Sequence, residues 1–168
     1  MKTRQSLRLN HYDYATPGGY FLTICTLHRR CILTEPYEQS FRPNEFGDMI
    51  ETVWFEQSSF YPGVTPGDFV VMPNHVHGIL WLDEKNVLNL GSLVGRYKSV
   101  TTRRFKDMAR YEPLESGVQK LWQRNYWEHV IRNESDLHRI REYIRDNPRK
   151  WNEDRLNPNG LQNRPHID

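Results

Sequence analysis

The sequence predicts an α+β fold of the ferredoxin-like split β-α-β kind, ordered β-α-β-β-α-β-α, with an antiparallel sheet, helices packed on one face and the other face open for a site. Three observations carry that expectation. Four short segments are rich in aromatic and β-branched residues, and three longer ones repeat apolar residues at helical spacing. One pair of strands alone is joined tightly enough to form a hairpin.

The first strand follows the turn signal of Pro17, Gly18 and Gly19 and covers YFLTICT, residues 20–26, apolar enough on both faces to be central. Between Asn44 and Ser59, residues Phe46, Met49, Ile50, Val53 and Trp54 fall at i, i+3, i+4, i+7 and i+8, the signature of an amphipathic helix. The cluster YPGVTPGD, residues 61–68, breaks it. Residues 69–72 and 76–82 then read as two strands of a hairpin around Pro73 and Asn74. A second helix runs from about Gly91 to Met108, with Leu93, Val94, Tyr97 and Phe105 inward and basic residues outward. Residues 121–132, LWQRNYWEHVIR, suit a fourth strand because Tyr126, Glu128 and Val130 alternate with Trp127, His129 and Ile131. The third helix begins near Ser135 as N-cap, buries Leu137, Ile140 and Ile144, and stops before Pro148. Residues 1–151 make one domain, and the polar, turn-rich residues 152–168 read as a loosely held tail.

A chain of 168 residues suits a single core. With 37% hydrophobic residues and a mean hydropathy of −0.81, no run approaches the roughly 20 apolar residues of a membrane span, which argues against a membrane protein. The basic N-terminus has no apolar run behind it, and Cys25 and Cys31 fit neither a disulfide framework nor a CxxC pair, so a cytoplasmic location is expected. A net charge of +2 declares no polyanionic partner, yet residues 91–110 carry Arg96, Lys98, Arg103, Arg104, Lys106 and Arg110 against Asp107 alone. That face is either merely solvated or the track for a nucleic-acid backbone, and its excess of one sign favours the track. Exposed aromatics such as Tyr12, Tyr14 or Tyr97 could stack on unpaired bases.

The segment VVMPNHVHGIL, residues 70–80, is the most informative chemically. On a strand, His75 and His77 project from one face while Val76 enters the other, so two imidazoles can share one cation. The same spacing also describes two histidines hydrogen-bonded within a partly polar sheet. On the last helix, Tyr143 and Asn147 lie four apart and share a face with Ile140, which looks toward the sheet. Alone they read as a core tyrosine and a residue at a helix C-terminus; beside the histidines they bring a hydroxyl and an amide toward one place.

Together, MPNHVHGIL, LWQRNYWEHVIRNESDL and REYIRDNP, in this order and spacing, closely resemble the REP-associated tyrosine transposases. These are a branch of the IS200/IS605-like Y1 transposases in the HUH endonuclease superfamily, and the resemblance runs from about Tyr20 to Trp151. It implies the HUH fold, with His75 and His77 as metal ligands, Tyr143 as the nucleophile and Asn147 as the third protein ligand, where the wider group often has Gln. It also implies Mg²⁺ or Mn²⁺ as cofactor, although two imidazoles and an amide suit Zn²⁺ or Mn²⁺ on softness alone. The implied substrate is single-stranded or hairpin DNA such as repetitive extragenic palindromes, cleaved to a 5′-phosphotyrosine and a free 3′-OH; charge position, rather than the resemblance, puts Arg96, Lys98, Arg103, Arg104 and Lys106 along the DNA. Relatives include monomers and homodimers, and either assembly fits. Three other readings stand beside this one: a domesticated hairpin-binding protein without turnover, an HUH replication initiator or relaxase-like nickase, and a metal-dependent small-molecule phosphoesterase with a structural Tyr143.

Overall fold

The structure, a computed structural model, describes residues 13–109 and 120–160; Tyr12 of the N-terminal arm and Arg110 lie outside them. In chain order the elements are β1 (Gly18–Cys25), β2 (Thr34–Tyr37), β3 (Ser40–Pro43), α1 (Glu45–Phe60), β4 (Val64–Met72), β5 (His75–Leu82), α2 (Leu90–Ala109), β6 (Trp127–Ile131) and α3 (Glu134–Asp146). A 3₁₀ segment, Asn147–Glu153, follows α3 directly. The main sheet is antiparallel throughout and ordered β4-β5-β1-β6. Counting only its own strands along the chain, that order is 2-3-1-4, the split β-α-β arrangement the sequence predicts.

The pleat sorts side chains onto two faces. Tyr20, Leu22 and Ile24 of β1, with Val76, Leu80 and Leu82 of β5, form the principal core under α1 and α2. Gly78 belongs to this face for a steric reason. A Cβ there would sit 2.6 Å from Trp54 and 2.8 Å from Phe69, whose rings stack at 4.8 Å over the sheet. The opposite face carries Phe21, Val70, Ile79 and Trp81, and it receives Leu137, Ile140 and Ile144 of α3. Burying an isoleucine contributes roughly 1.5–3 kcal/mol, which is enough for Ile140 and Ile144 to hold a short helix on the sheet. The face expected to be open is thus crossed by α3, and the site forms where this helix ends.

Four local features differ from the sequence reading. The hairpin β2–β3 has no counterpart in it; its strands are four residues long, contain Pro36 and Pro43, and are largely exposed, so they lack the apolar alternation that marks a strand. Strand β4 starts at Val64 within the supposed breaker cluster, because an edge strand tolerates Pro66 and the register shift between Pro66 and Phe69 absorbs Gly67 and Asp68. The fourth strand is shortened to Trp127–Ile131, while Trp122 makes only an isolated bridge to Thr26 and donates its indole N–H to Thr101. Helix α3 is capped by Asn133, two residues before the expected Ser135: Asn133 Oδ1 accepts from Asp136 N at 2.9 Å, and Asp136 Oδ2 accepts from Arg132 N at 3.3 Å.

Through residue 160, the segment read as a loose tail is tied to the sheet. Asn74 Nδ2 donates to Leu156 O at 2.7 Å, and Asn157, itself buried, donates to Trp151 O at 3.0 Å. Among the described residues no helix is long and apolar enough to cross a membrane.

Candidate metal and tyrosine site

The adjacent central strands β1 and β5 build the floor of the site. In register, Thr23 faces His77 and Cys25 faces His75, so the odd-numbered residues of both strands point to the α3 side. His75 and His77 are fully buried there, and their Nε2 atoms face each other at 3.0 Å. Each ring is held from behind. Asn74 spends both amide protons on Arg29 O and Leu156 O, so its Oδ1 can only accept, and it takes the Nδ1 proton of His75 at 2.8 Å. His77 Nδ1 bonds Thr23 Oγ1 at 2.8 Å, and Phe21 stacks on the His77 ring at 5.4 Å.

This fixes His75 as the tautomer with a bare lone pair on Nε2. When His77 also donates from Nδ1, two lone pairs point at one another, and a cation held by both would satisfy the pair. Without a cation, one proton between the rings does the same work. Burial, with His77 and Arg29 adding to it, holds His75 well below the ordinary histidine range, and burial pulls His77 down to about 3, so both rings are free to ligate at neutral pH.

Helix α3 delivers the remaining groups. With Ile140 and Ile144 locked on the sheet, Tyr143 falls at the margin of the apolar stripe, 47% exposed, its hydroxyl 3.4 Å from His77 Nε2. Its ring sits edge-on to Phe21 at 5.9 Å and to His77 at 5.1 Å. Burial raises the phenol above its usual range while a hydrogen bond with Asn147 partly offsets this, so the hydroxyl keeps its proton at neutral pH. Asn147, one turn on, is buried, and its Oδ1 has no hydrogen-bond partner. An orphaned amide oxygen is costly unless something electropositive meets it. An open cleft of about 450 Å³ joins these groups, lined by Thr23, His77, Trp127, Tyr143, Asn147 and Lys150 among others.

The donors fit a divalent cation: two facing imidazole nitrogens and an unpartnered amide oxygen share the cleft region. The sequence reading did not include Asp154, whose Oδ2 lies 3.7 Å from His75 Nε2 and whose ligand atom falls within 4.8 Å of those of His75 and His77. It sits in a polar stretch with no periodic spacing to flag it. His129 is not part of the site; its Nε2 is 2.7 Å from Asp136 Oδ2, and Arg139 holds the other oxygen of Asp136 at 2.6 Å, so it anchors the start of α3.

The basic residues of α2 lie across the sheet from Tyr143, since α2 packs on the principal core. They are not equivalent. Lys98 folds back, its Nζ donating to the carbonyls of Gln123, Arg124 and Asn125 at 2.9–3.3 Å, and burial pulls its ammonium down to about 8. Arg104 makes a two-pronged pair with Glu56 at 2.7 and 3.2 Å. Arg96 lies over the Tyr61 ring at 5.4 Å. Arg103 and Lys106 are exposed and line a second cleft of about 500 Å³ with Lys120 and Arg124. Tyr97, suggested as a stacking surface, is instead core, its hydroxyl donating to Ile50 O.

Residues 20–147 match the family described as "Transposase IS200 like". A Haemophilus influenzae protein without an assigned function is 35% identical over 173 residues, covering 91% of this chain and 92% of that one. A second protein of that organism, named "Putative REP-associated tyrosine transposase", is 30% identical over 146 residues, covering 82% and 74%. Among solved structures, a REP-associated tyrosine transposase bound to a REP hairpin superposes with a TM-score of 0.61 at 23% identity, covering 86% of this chain and 73% of that one, a likeness of fold. The chain belongs to the IS200-like transposases, in their REP-associated tyrosine transposase branch.

Proposed function

We propose that this protein is a metal-dependent single-stranded DNA endonuclease and strand transferase that cuts hairpin DNA, such as repetitive extragenic palindromes, through a phosphotyrosine at Tyr143. The observation that carries this is the placement of a half-exposed phenol 3.4 Å from His77 Nε2, at a cleft lined by that histidine, whose Nε2 also faces the buried His75. A core tyrosine would be covered, and a structural histidine pair would not need an open cleft above it.

In this reading His75, His77 and Asn147 hold Mg²⁺ or Mn²⁺. The bound cation supplies electrostatic stabilisation of the scissile phosphate's non-bridging oxygens. Tyr143 then needs only to be aimed. Its ring is fixed by Phe21 and His77, and its hydroxyl is supported by Asn147. The phenol oxygen attacks phosphorus and its proton passes to solvent, while the bond to the 3′-oxygen breaks and that oxygen takes a proton from solvent, leaving a 5′-phosphotyrosine and a 3′-OH. An aryloxide leaves far more readily than an alkoxide, so the link reverses when a second 3′-OH arrives, as strand transfer requires. Lys150, exposed on the cleft wall, suits a flanking phosphate.

Tyr143 reaches the histidines of its own chain, so one chain can form the whole site. For the DNA track, the exposed Arg103 and Lys106, with Arg96 beside them, are the better candidates within the basic helix. Lys98 and Arg104 act first as structural ties. The deciding experiment incubates the protein with a labelled hairpin oligonucleotide and looks for a covalent protein–DNA band on a denaturing gel. An adduct that forms with Mg²⁺ or Mn²⁺ and vanishes with chelator is expected; tight hairpin binding with no adduct under any metal would instead identify a binding protein without turnover.

A further inference from the structure

We propose that Asp154, from the segment that follows the tyrosine helix, is a further protein ligand to the cation held by His75 and His77. This rests on the metal-dependent reading above and extends its donor set with a residue that the family motifs do not contain.

The carboxylate is divided between two tasks. Oδ1 accepts the backbone N–H of Leu156 at 2.7 Å, and Oδ2 is left facing His75 Nε2 at 3.7 Å, with 10% of the side chain exposed. Among the described residues Asp154 makes no ion pair with Lys or Arg. The tautomer of His75, set by Asn74, puts a lone pair rather than a proton on Nε2. With His77 donating from Nδ1, a carboxylate oxygen and two imidazole lone pairs converge with little water, their ligand atoms all within 4.8 Å of one another, and every member of the group is then an electron donor. A divalent cation answers all three at once. The protein-only alternative is a neutral pair, in which His77 accepts the Thr23 hydroxyl proton at Nδ1 and donates from Nε2 to His75, and it leaves Oδ2 of Asp154 unanswered.

The segment is held for the task before any ion arrives. Leu156 O is tied to Asn74, the residue that also orients His75, while Asp154 N donates to Trp151 O at 3.1 Å and Asn157 Nδ2 to the same carbonyl at 3.0 Å. A ligand delivered on such a clamped turn loses little conformational freedom on binding. The carboxylate also changes what the site selects. Two imidazoles and an amide favour softer ions, whereas an added anionic oxygen raises the affinity for Mg²⁺ and Mn²⁺.

The test reads metal binding rather than cleavage. Mn²⁺ is titrated into the full chain without DNA, with free Mn²⁺ followed by electron paramagnetic resonance and the Mn²⁺-induced rise in melting temperature recorded in parallel. Asp154→Asn and Asp154→Ala are expected to weaken Mn²⁺ at least about tenfold and to shrink the melting shift, each measured against the same variant in chelator so that any change in basal stability cancels. Unchanged Mn²⁺ affinity in both variants, with His77→Ala losing it, would overturn the role of Asp154 and leave the metal-dependent reading standing. A parent protein that takes up no Mn²⁺ and still forms the covalent adduct in chelator would overturn both.

Discussion

Asn74 and His75, neighbours in the chain, hydrogen-bond through their side chains, the imidazole Nδ1 donating to the amide oxygen at 2.8 Å. The same amide donates to Arg29 O at 3.1 Å and Leu156 O at 2.7 Å. One fully buried side chain thus sets the ring that faces His77 and pins the turn that carries Asp154.

Asn74→Ala is accordingly expected to act twice. Two part-buried carbonyls lose their donor, which costs up to about 1–2 kcal/mol of stability, and the His75 ring loses the group that fixes its tautomer, which weakens metal roughly 10–100-fold. Asn74→Asp separates the effects, because it still accepts from Nδ1 but cannot donate to the carbonyls. Urea melts and Mn²⁺ titrations should show Asp as unstable as Ala yet better at holding the ion. Equal Mn²⁺ affinity in all three proteins would detach Asn74 from the site.

Tyr143→Phe removes one oxygen from a half-exposed ring whose packing on Phe21 and His77 is otherwise kept. Melting temperature and hairpin affinity should change little, and the covalent adduct should fall below detection. A persisting adduct would move the nucleophile elsewhere, with Tyr126 the next residue to replace.

Much of this architecture was readable beforehand because its strands and helices obey a period. Leu22 and Ile24 alternate with Phe21 and Thr23, and Ile140 and Ile144 repeat at one turn, so each could be assigned a face. His75, His77, Tyr143 and Asn147 inherit their faces from those neighbours. Asp154 could not be found that way: it reaches the site through a tertiary tie, Asn74 to Leu156, that leaves no mark in local spacing. The hairpin β2–β3 leaves no signal in the sequence for the related reason that strands with little to bury carry no alternation. On α2, counting charge treated Lys98 and Arg103 alike, although three carbonyls engage the first and solvent surrounds the second.

That difference gives a prediction about DNA affinity. If Arg103 and Lys106 contact phosphates, the double change to Ala should weaken hairpin binding and flatten the slope of log K against log salt by roughly one to two units, at about 0.7–0.9 per contact. Arg104→Ala should leave the slope nearly unchanged and cost up to about 1 kcal/mol of stability through the half-exposed pair with Glu56. Fluorescence anisotropy across a salt series measures both. A larger slope change from Arg104 than from the Arg103 and Lys106 pair would place the DNA on the α1 side of the helix.

The start of α3 carries a pH signature of its own. Asp136 is held down at about 2, chiefly by the hydrogen bond from His129, then by Arg139 and the Arg132 N–H. A depressed carboxylate stabilises the folded state above its unfolded pKa, near 3.8, and that contribution disappears as pH falls through the folded value. Asp136→Asn should therefore be less stable than the parent above about pH 4, with the gap closing between about pH 4 and 2. Because Asp136 fixes the end of the helix that carries Tyr143 at its other end, the proposed cleavage of hairpin DNA through Tyr143 should be slower in the same variant at neutral pH, with the covalent adduct still expected to form. Chemical denaturation of both proteins at stepped acidic pH measures the gap; a difference that persists undiminished at pH 2 would show that Asp136 acts by shape and not by charge.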